Sequence, residues 1–127
     1  METIIYCAFI AAILPYLAKA PVAFAMNKLG GYDNKHPRAQ QAKLTGFGAR
    51  ALAAHQNSFE SLIVFAMAVA VTLATNNTGE TIQWLAITYI IARILYCVFY
   101  YLNWHALRST IWLVGLVSPL AMIWMSL

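Results

Sequence analysis

Arg93 lies inside the run Thr81–Tyr100, which is otherwise apolar enough to cross a bilayer. An arginine at the centre of a membrane helix costs roughly 2.5–3.5 kcal/mol on insertion scales, so it must face a partner, a cavity or a ligand. The turn Asn76-Asn77-Thr78-Gly79 folds this run back on the one before it. With the hairpin centred at Asn76-Asn77, Glu60 falls at the depth of Arg93, Asn57 at that of Tyr96, and Arg50 at that of Asn103. The register therefore predicts a buried Glu60–Arg93 ion pair, formed within one subunit or across an interface. Losing one partner of such a pair typically costs about 3–5 kcal/mol, because the other charge is left buried and alone.

Helical spacing groups the remaining candidates. Arg93, Tyr96 and Tyr100 stand at i, i+3 and i+7, on one face of their helix, and Asn57 and Glu60 share a face of theirs. Asn57 offers an amide donor and acceptor, and the tyrosines offer hydroxyls. Arg108 opens the last apolar run, with Ser109 beside it and Trp112 one turn on. A guanidinium, a hydroxyl and the free amides of a helix N-terminus together suit an anion or a thiolate. Each feature also has a purely structural explanation. Glu60 and Arg93 can simply hold helices together, the tyrosines can pack or anchor at the interface, and Arg108 can mark topology or touch a lipid phosphate. His55 reads as a capping or packing histidine, and Trp104, Trp112 and Trp124 as interfacial aromatics.

The elements that must position these residues are membrane helices. Of 127 residues, 62% are hydrophobic and 9% charged, whereas soluble domains carry about 25% charged residues. The net charge of +4 comes with few charges and long apolar runs, which argues against nucleic acid and for a membrane protein with one basic rim. Cys7 and Cys97 sit singly in apolar runs, and His36, His55 and His105 lie far apart, so neither a disulfide framework nor a metal site is expected. Glu2 replaces the basic start of a cleaved signal, so the first run is expected to stay as a span.

Spans are predicted over residues 3–27, 46–75, 80–102 and 107–126, each close to the roughly 20 residues a bilayer requires. Pro15 and Pro21 should bend the first, and Pro119 should bend or end the last. The expected fold is an all-α, single-domain membrane bundle of four helices, antiparallel and up-down. Lys28, Lys35, Arg38 and Lys43 crowd the first loop, with Arg50 and Arg108 at the same face, while the other face offers Glu2 and Glu80. The positive-inside rule puts residues 28–46 and 103–107 in the cytoplasm and both termini outside.

The run Arg50-Ala51-Leu52-Ala53-Ala54-His55-Gln56-Asn57-Ser58-Phe59-Glu60 resembles the second-helix signature of the MAPEG family, the membrane-associated proteins in eicosanoid and glutathione metabolism. The segments Ala92-Arg93-Ile94-Leu95-Tyr96, Tyr100, Leu107-Arg108-Ser109 and Trp112 agree with it, and Asp33-Asn34-Lys35-His36-Pro37-Arg38 resembles the first loop of small bacterial members. The resemblance covers nearly the whole chain.

It implies a homotrimer in a bacterial inner membrane, in contact with lipid. Glutathione would lie between neighbouring subunits toward the cytoplasm, with an apolar small molecule as second substrate. Asn57 and Glu60 would match glutathione contacts on the second helix, and Arg93, Tyr96 and Tyr100 the wall of the same pocket. Arg108 would match the arginine credited with holding the thiolate, and Ser109 the hydroxyl beside it, while Trp112 stands where some members place a tyrosine. Arg50 joins the substrate-binding set, and Arg38 and Lys28 would add loop contacts.

Ala53 stands where well-studied members carry an arginine, and Gln56 replaces a further basic residue of some members. Both changes remove cations that would meet the two carboxylates of glutathione. The resemblance thus implies a glutathione-dependent transferase or peroxidase, with a non-enzymatic trimeric scaffold or a small carrier as alternatives. Neither the electrophile nor the choice between glutathione and another thiol follows from the residues.

Overall fold

The computed structural model describes all residues 1–127, and every regular element in it is helical. Six helices follow one another: α1 (Glu2–Leu17), α2 (Lys19–Asn27), α3 (Pro37–Gln41), α4 (Gly46–Ala74), α5 (Glu80–Tyr101) and α6 (His105–Trp124). Helices α1 and α2 together make one span, so four segments are long and apolar enough to cross a membrane. The protein is an all-α bundle with four membrane-spanning helices.

The first span breaks at Ala18, between Pro15 and Pro21. Pro21 has no N–H to offer the turn before it, so the ladder weakens here. His55 of α4 sits over the joint, with Nδ1 2.8 Å from the Pro15 carbonyl oxygen. A carbonyl can only accept, so His55 carries its proton on Nδ1 and donates it. Pro119 is also taken into its helix, and α6 runs on to Trp124.

The first loop is more ordered than its breakers suggest. It contains α3, with Pro37 in the first turn. Gly30 and Gly31 hold φ of +90° and +104°, the left-handed region that favours glycine. Asp33 Oδ1 accepts from the N–H groups of Lys35 and His36, and the Asp33 N–H donates to Gln40 Oε1. Buried Gln40 then donates through Nε2 to the carbonyls of Met26 and Gly31, pinning α3 to the end of α2.

Helices α4 and α5 form the centre, with α1–α2 packed against both from one side and α6 against both from another. The main core joins Ile4, Cys7 and Ala11 of α1 to Phe65 of α4, Tyr89 and Ile90 of α5 and Met122 of α6. Phe65 and Tyr89 stack with centroids 4.0 Å apart, and the Tyr89 hydroxyl lies 3.0 Å from Ser61 Oγ. Asn77 Nδ2 donates to the Met125 carbonyl, which brings the ends of α4 and α6 together. At the other pole Arg50 reaches Tyr101, joining the start of α4 to the end of α5.

Only 28 of the 127 residues are buried, and large apolar side chains such as Phe9, Ile63, Trp84 and Val117 are exposed. In water that surface would aggregate, whereas in a bilayer it meets hydrocarbon.

Candidate functional site

The face of α5 that carries Arg93, Tyr96 and Tyr100 turns inward in its middle: Arg93 and Tyr96 are 4% and 5% exposed. Arg93 Nη2 donates to Asn57 Oδ1 of α4 at 2.8 Å, and its guanidinium carbon lies 4.1 Å from the centre of the Tyr96 ring. Tyr96 meets Tyr100 edge to face at 5.6 Å. Tyr100 in turn lies beneath Arg108 of α6, whose guanidinium carbon is 4.3 Å from the ring centre. A continuous path of polar and aromatic contacts therefore runs Asn57–Arg93–Tyr96–Tyr100–Arg108 across three helices. Cations on aromatic faces gain about 0.5–1 kcal/mol when exposed and more when desolvated.

The expected Glu60–Arg93 ion pair does not form within the chain. Its one close ionic contact is His36 with Asp33, in the first loop. Three residues turn a helix by 300°, leaving Glu60 about 60° around α4 from Asn57, so equal depth did not mean equal direction. Glu60 is exposed on the surface of the chain, in the middle of a span. It borders a cavity of about 170 Å³ between α4 and α6, lined also by Asn57, Ser61, Val64, Trp112, Gly115 and Leu116. Gly115 of α6 faces Arg93: a Cβ built there would lie 3.5 Å from Arg93 Cδ, an ordinary contact.

Arg108 does not open its helix, because α6 starts at His105 and the Arg108 N–H already donates to the Trp104 carbonyl. The free amides belong to the preceding residues. What Arg108 offers is its side chain, fixed on Tyr100. Ser109 is exposed and borders neither this cavity nor the larger one described below, and the same is true of Arg38 on α3. Arg50 is drawn away to the Tyr101 carbonyl, 3.4 Å from Nη2, and its buried Nε has no partner. Lys28 lies over the Phe24 ring at 4.5 Å. Ala53 is half-buried, while Gln56 is exposed one turn before Glu60.

A larger cavity, about 240 Å³, runs between the α1–α2 joint and α5. Its polar lining, Ser58, Tyr89, Arg93, Cys97 and Tyr101, was absent from the expected set apart from Arg93. The signal was present in the chain: Tyr89, Arg93, Cys97 and Tyr101 recur every fourth residue, a second stripe beside the first. Ser58 donates to the Ala54 carbonyl and lies 3.7 Å from Cys97 Sγ. No three of the protein's His, Cys, Asp and Glu side chains converge as a metal site would require.

No curated protein and no solved structure matches the chain. The model of the MAPEG family does, over residues 3–127. With its four spans, the buried arginine held by Asn57, and that match over nearly every residue, this membrane protein belongs to the MAPEG family.

Proposed function

We propose that the protein is a glutathione-dependent transferase or peroxidase that acts on an apolar electrophile or hydroperoxide drawn from the bilayer. The observation that carries this reading is the contact path from Asn57 through Arg93 to Arg108, which ends in a guanidinium resting on the Tyr100 ring.

The working unit is a homotrimer, and glutathione lies between subunits. Support comes from the outer face of α4, where Gln56, Glu60, Ile63, Met67 and Ala70 are all exposed on the protomer. A carboxylate turned to hydrocarbon is costly, so this face requires a cover. Ala66, Ala70 and Ala74 recur every fourth residue on it, a spacing that lets membrane helices approach closely. A neighbouring subunit seated there closes the α4–α6 cavity, with Asn57, Glu60, Tyr96, Tyr100 and Trp112 orienting the peptide. Residues 28–46 and 103–107 face the cytoplasm of a bacterial inner membrane, where glutathione is supplied, and both termini lie outside.

The chemistry is nucleophilic attack by the glutathione sulfur. A thiol near its ordinary pKa is mostly protonated in the cytoplasm, and an adjacent cation lowers that pKa by about 1–3 units. Arg108 supplies the cation, held by the Tyr100 ring, and Ser109, exposed beside it on α6, hydrogen-bonds the sulfur once a neighbouring subunit closes the site. Arginine does not give up its proton, so water or the second substrate takes the thiol proton. Orienting the thiolate beside the electrophile turns an encounter into a prepaid one.

Ultraviolet titration of glutathione bound in mild detergent is expected to show thiolate in the wild-type protein and to lose it in Arg108→Ala. An unchanged thiolate signal removes Arg108 from the chemistry, and absence of saturable glutathione uptake leaves a scaffold.

A further inference from the structure

Where α2 ends and α4 begins, the first two spans leave a groove at the rim of the bundle. The part nearer the spans, about 250 Å³, is walled by Phe24 of α2 and by Leu44, Thr45 and Phe47 around the start of α4. The part nearer the loop, about 290 Å³, lies against Gly30, Gly31 and α3, with Lys43 on its wall. Leu29 borders both parts and joins them. Neither part shares a lining residue with the α4–α6 cavity or with the one beside α5.

Two lysines border this groove without an acidic partner. Lys28 lines the part nearer the spans, and its Nζ lies 4.5 Å from the centre of the Phe24 ring, which holds the ammonium there. Lys43 lines the other part. The one close ionic contact of the chain is His36 with Asp33. Asp33 also borders the groove, but its charge is engaged within the loop. Its Oδ1 accepts from the N–H groups of Lys35 and His36, and its Oδ2 lies 3.8 Å from His36 Nδ1. The Thr45 side chain makes no capping hydrogen bond to the helix it precedes, so its hydroxyl is free to donate.

The walls then select among anions. Phe24, Leu29 and Phe47 are 58%, 48% and 38% exposed. A dissolved anion gains nothing from such walls, whereas acyl chains cover them, and aromatic rings at a span's end sit at head-group level. A zwitterionic head group would bring its own cation to the two lysines, so a net negative one fits better. We infer that the groove between the end of α2 and the start of α4 binds an anionic glycerophospholipid. Its phosphate lies between Lys28 and Lys43, with Thr45 donating to it, and its chains lie along Phe24 and Phe47. Lys28 then serves a lipid and not glutathione, and the site stands whether or not glutathione is the co-substrate.

Native mass spectrometry of the full chain in mild detergent tests this, with equal amounts of phosphatidylglycerol and phosphatidylcholine of the same acyl chains. A lysine beside an anionic lipid contributes about fivefold in binding, so wild type is expected to favour phosphatidylglycerol by about twentyfold. Lys28→Gln and Lys43→Gln should each lower the preference to about fourfold and keep the wild-type number of copies. Lys35 lines neither part of the groove, and Lys35→Gln should leave the preference unchanged. An equal loss in Lys35→Gln assigns the preference to diffuse charge, and a loss of copies in the Lys28 or Lys43 variant assigns the groove to a neighbouring subunit. Either result overturns the site. So does a wild type without preference, an unchanged preference in Lys28→Gln, or displacement of the lipid by inorganic phosphate or by saturating glutathione.

Thr45→Trp fills the groove while both lysines stay, and it gives up no capping bond. That variant is expected to elute like wild type and to lose the preference for phosphatidylglycerol. An undiminished preference in it also overturns the site.

Discussion

Arg93 Nη2 donates to Asn57 Oδ1 at 2.8 Å, tying α5 to α4 well inside the membrane. Hydrogen bonds to charged groups contribute about 1.5–3 kcal/mol, so Asn57→Ala is expected to lose roughly that much stability. Asn57→Asp keeps an acceptor and adds the missing anion, and should retain or exceed wild-type stability. Thermal unfolding in detergent, followed by circular dichroism, checks both. Equal losses in the two variants would show that Arg93 draws nothing from this contact.

Hydropathy alone made the four spans legible, because a bilayer demands length and apolarity and little else. The partner of Arg93 was harder to read. Depth follows from counting residues to the turn, and Glu60 and Asn57 lie within a turn of each other at that depth. Direction follows from how α4 is rotated against α5, which depends on α1 and α6 packing on either side. Arg108 was misplaced for a different reason. Trp104 stands just before the helix and Asn103 takes the left-handed turn with φ of +60°, so α6 starts at His105, earlier than its apolar run. The stripe Tyr89, Arg93, Cys97 and Tyr101 of the larger cavity was visible as a four-residue repeat, but its opposite wall is the joint around Ala18, which a run of apolar residues does not reveal.

Two glycines make contrasting predictions about close packing. A Cβ on Gly48 would lie 2.9 Å from Leu44 Cδ2 and 3.0 Å from the Ala25 Cβ. The leucine tip can move, but the alanine Cβ moves only with α2. Gly48→Ala is therefore expected to cost about 1–3 kcal/mol, the usual range for overpacking. On Gly115 a Cβ would meet Arg93 Cδ at 3.5 Å and the Ala92 Cβ at 3.7 Å, ordinary contacts. Gly115→Ala should be near neutral. Midpoints of thermal unfolding measured side by side decide it, and a Gly115→Ala variant weaker than Gly48→Ala would contradict both packing arguments.

The exposed face of α4 predicts how assembly fails. Ala70 is exposed on the same span as Glu60, with Ala66 and Ala74 exposed one turn to either side. Ala70→Trp leaves the protomer core untouched and blocks close approach of a neighbour. Native mass spectrometry is expected to find three copies of the 14.1 kDa chain for wild type and single copies for the variant. A trimer that survives the tryptophan would place the interface on another face and take Glu60 out of it.

Tyr100 separates the ring's role from that of its hydroxyl. Arg108 rests on the ring face, 4.3 Å from its centre, so Tyr100→Phe preserves the support and Tyr100→Leu removes it. An exposed contact of this kind contributes about 0.5–1 kcal/mol, or roughly two- to fivefold in an equilibrium. In the glutathione titration, the phenylalanine variant should keep the wild-type thiolate fraction. The leucine variant should need a higher pH to reach it, because a wandering guanidinium spends less time beside the sulfur. If the phenylalanine variant loses the thiolate instead, the hydroxyl is the group that contacts the sulfur, and Arg108 acts only as its support.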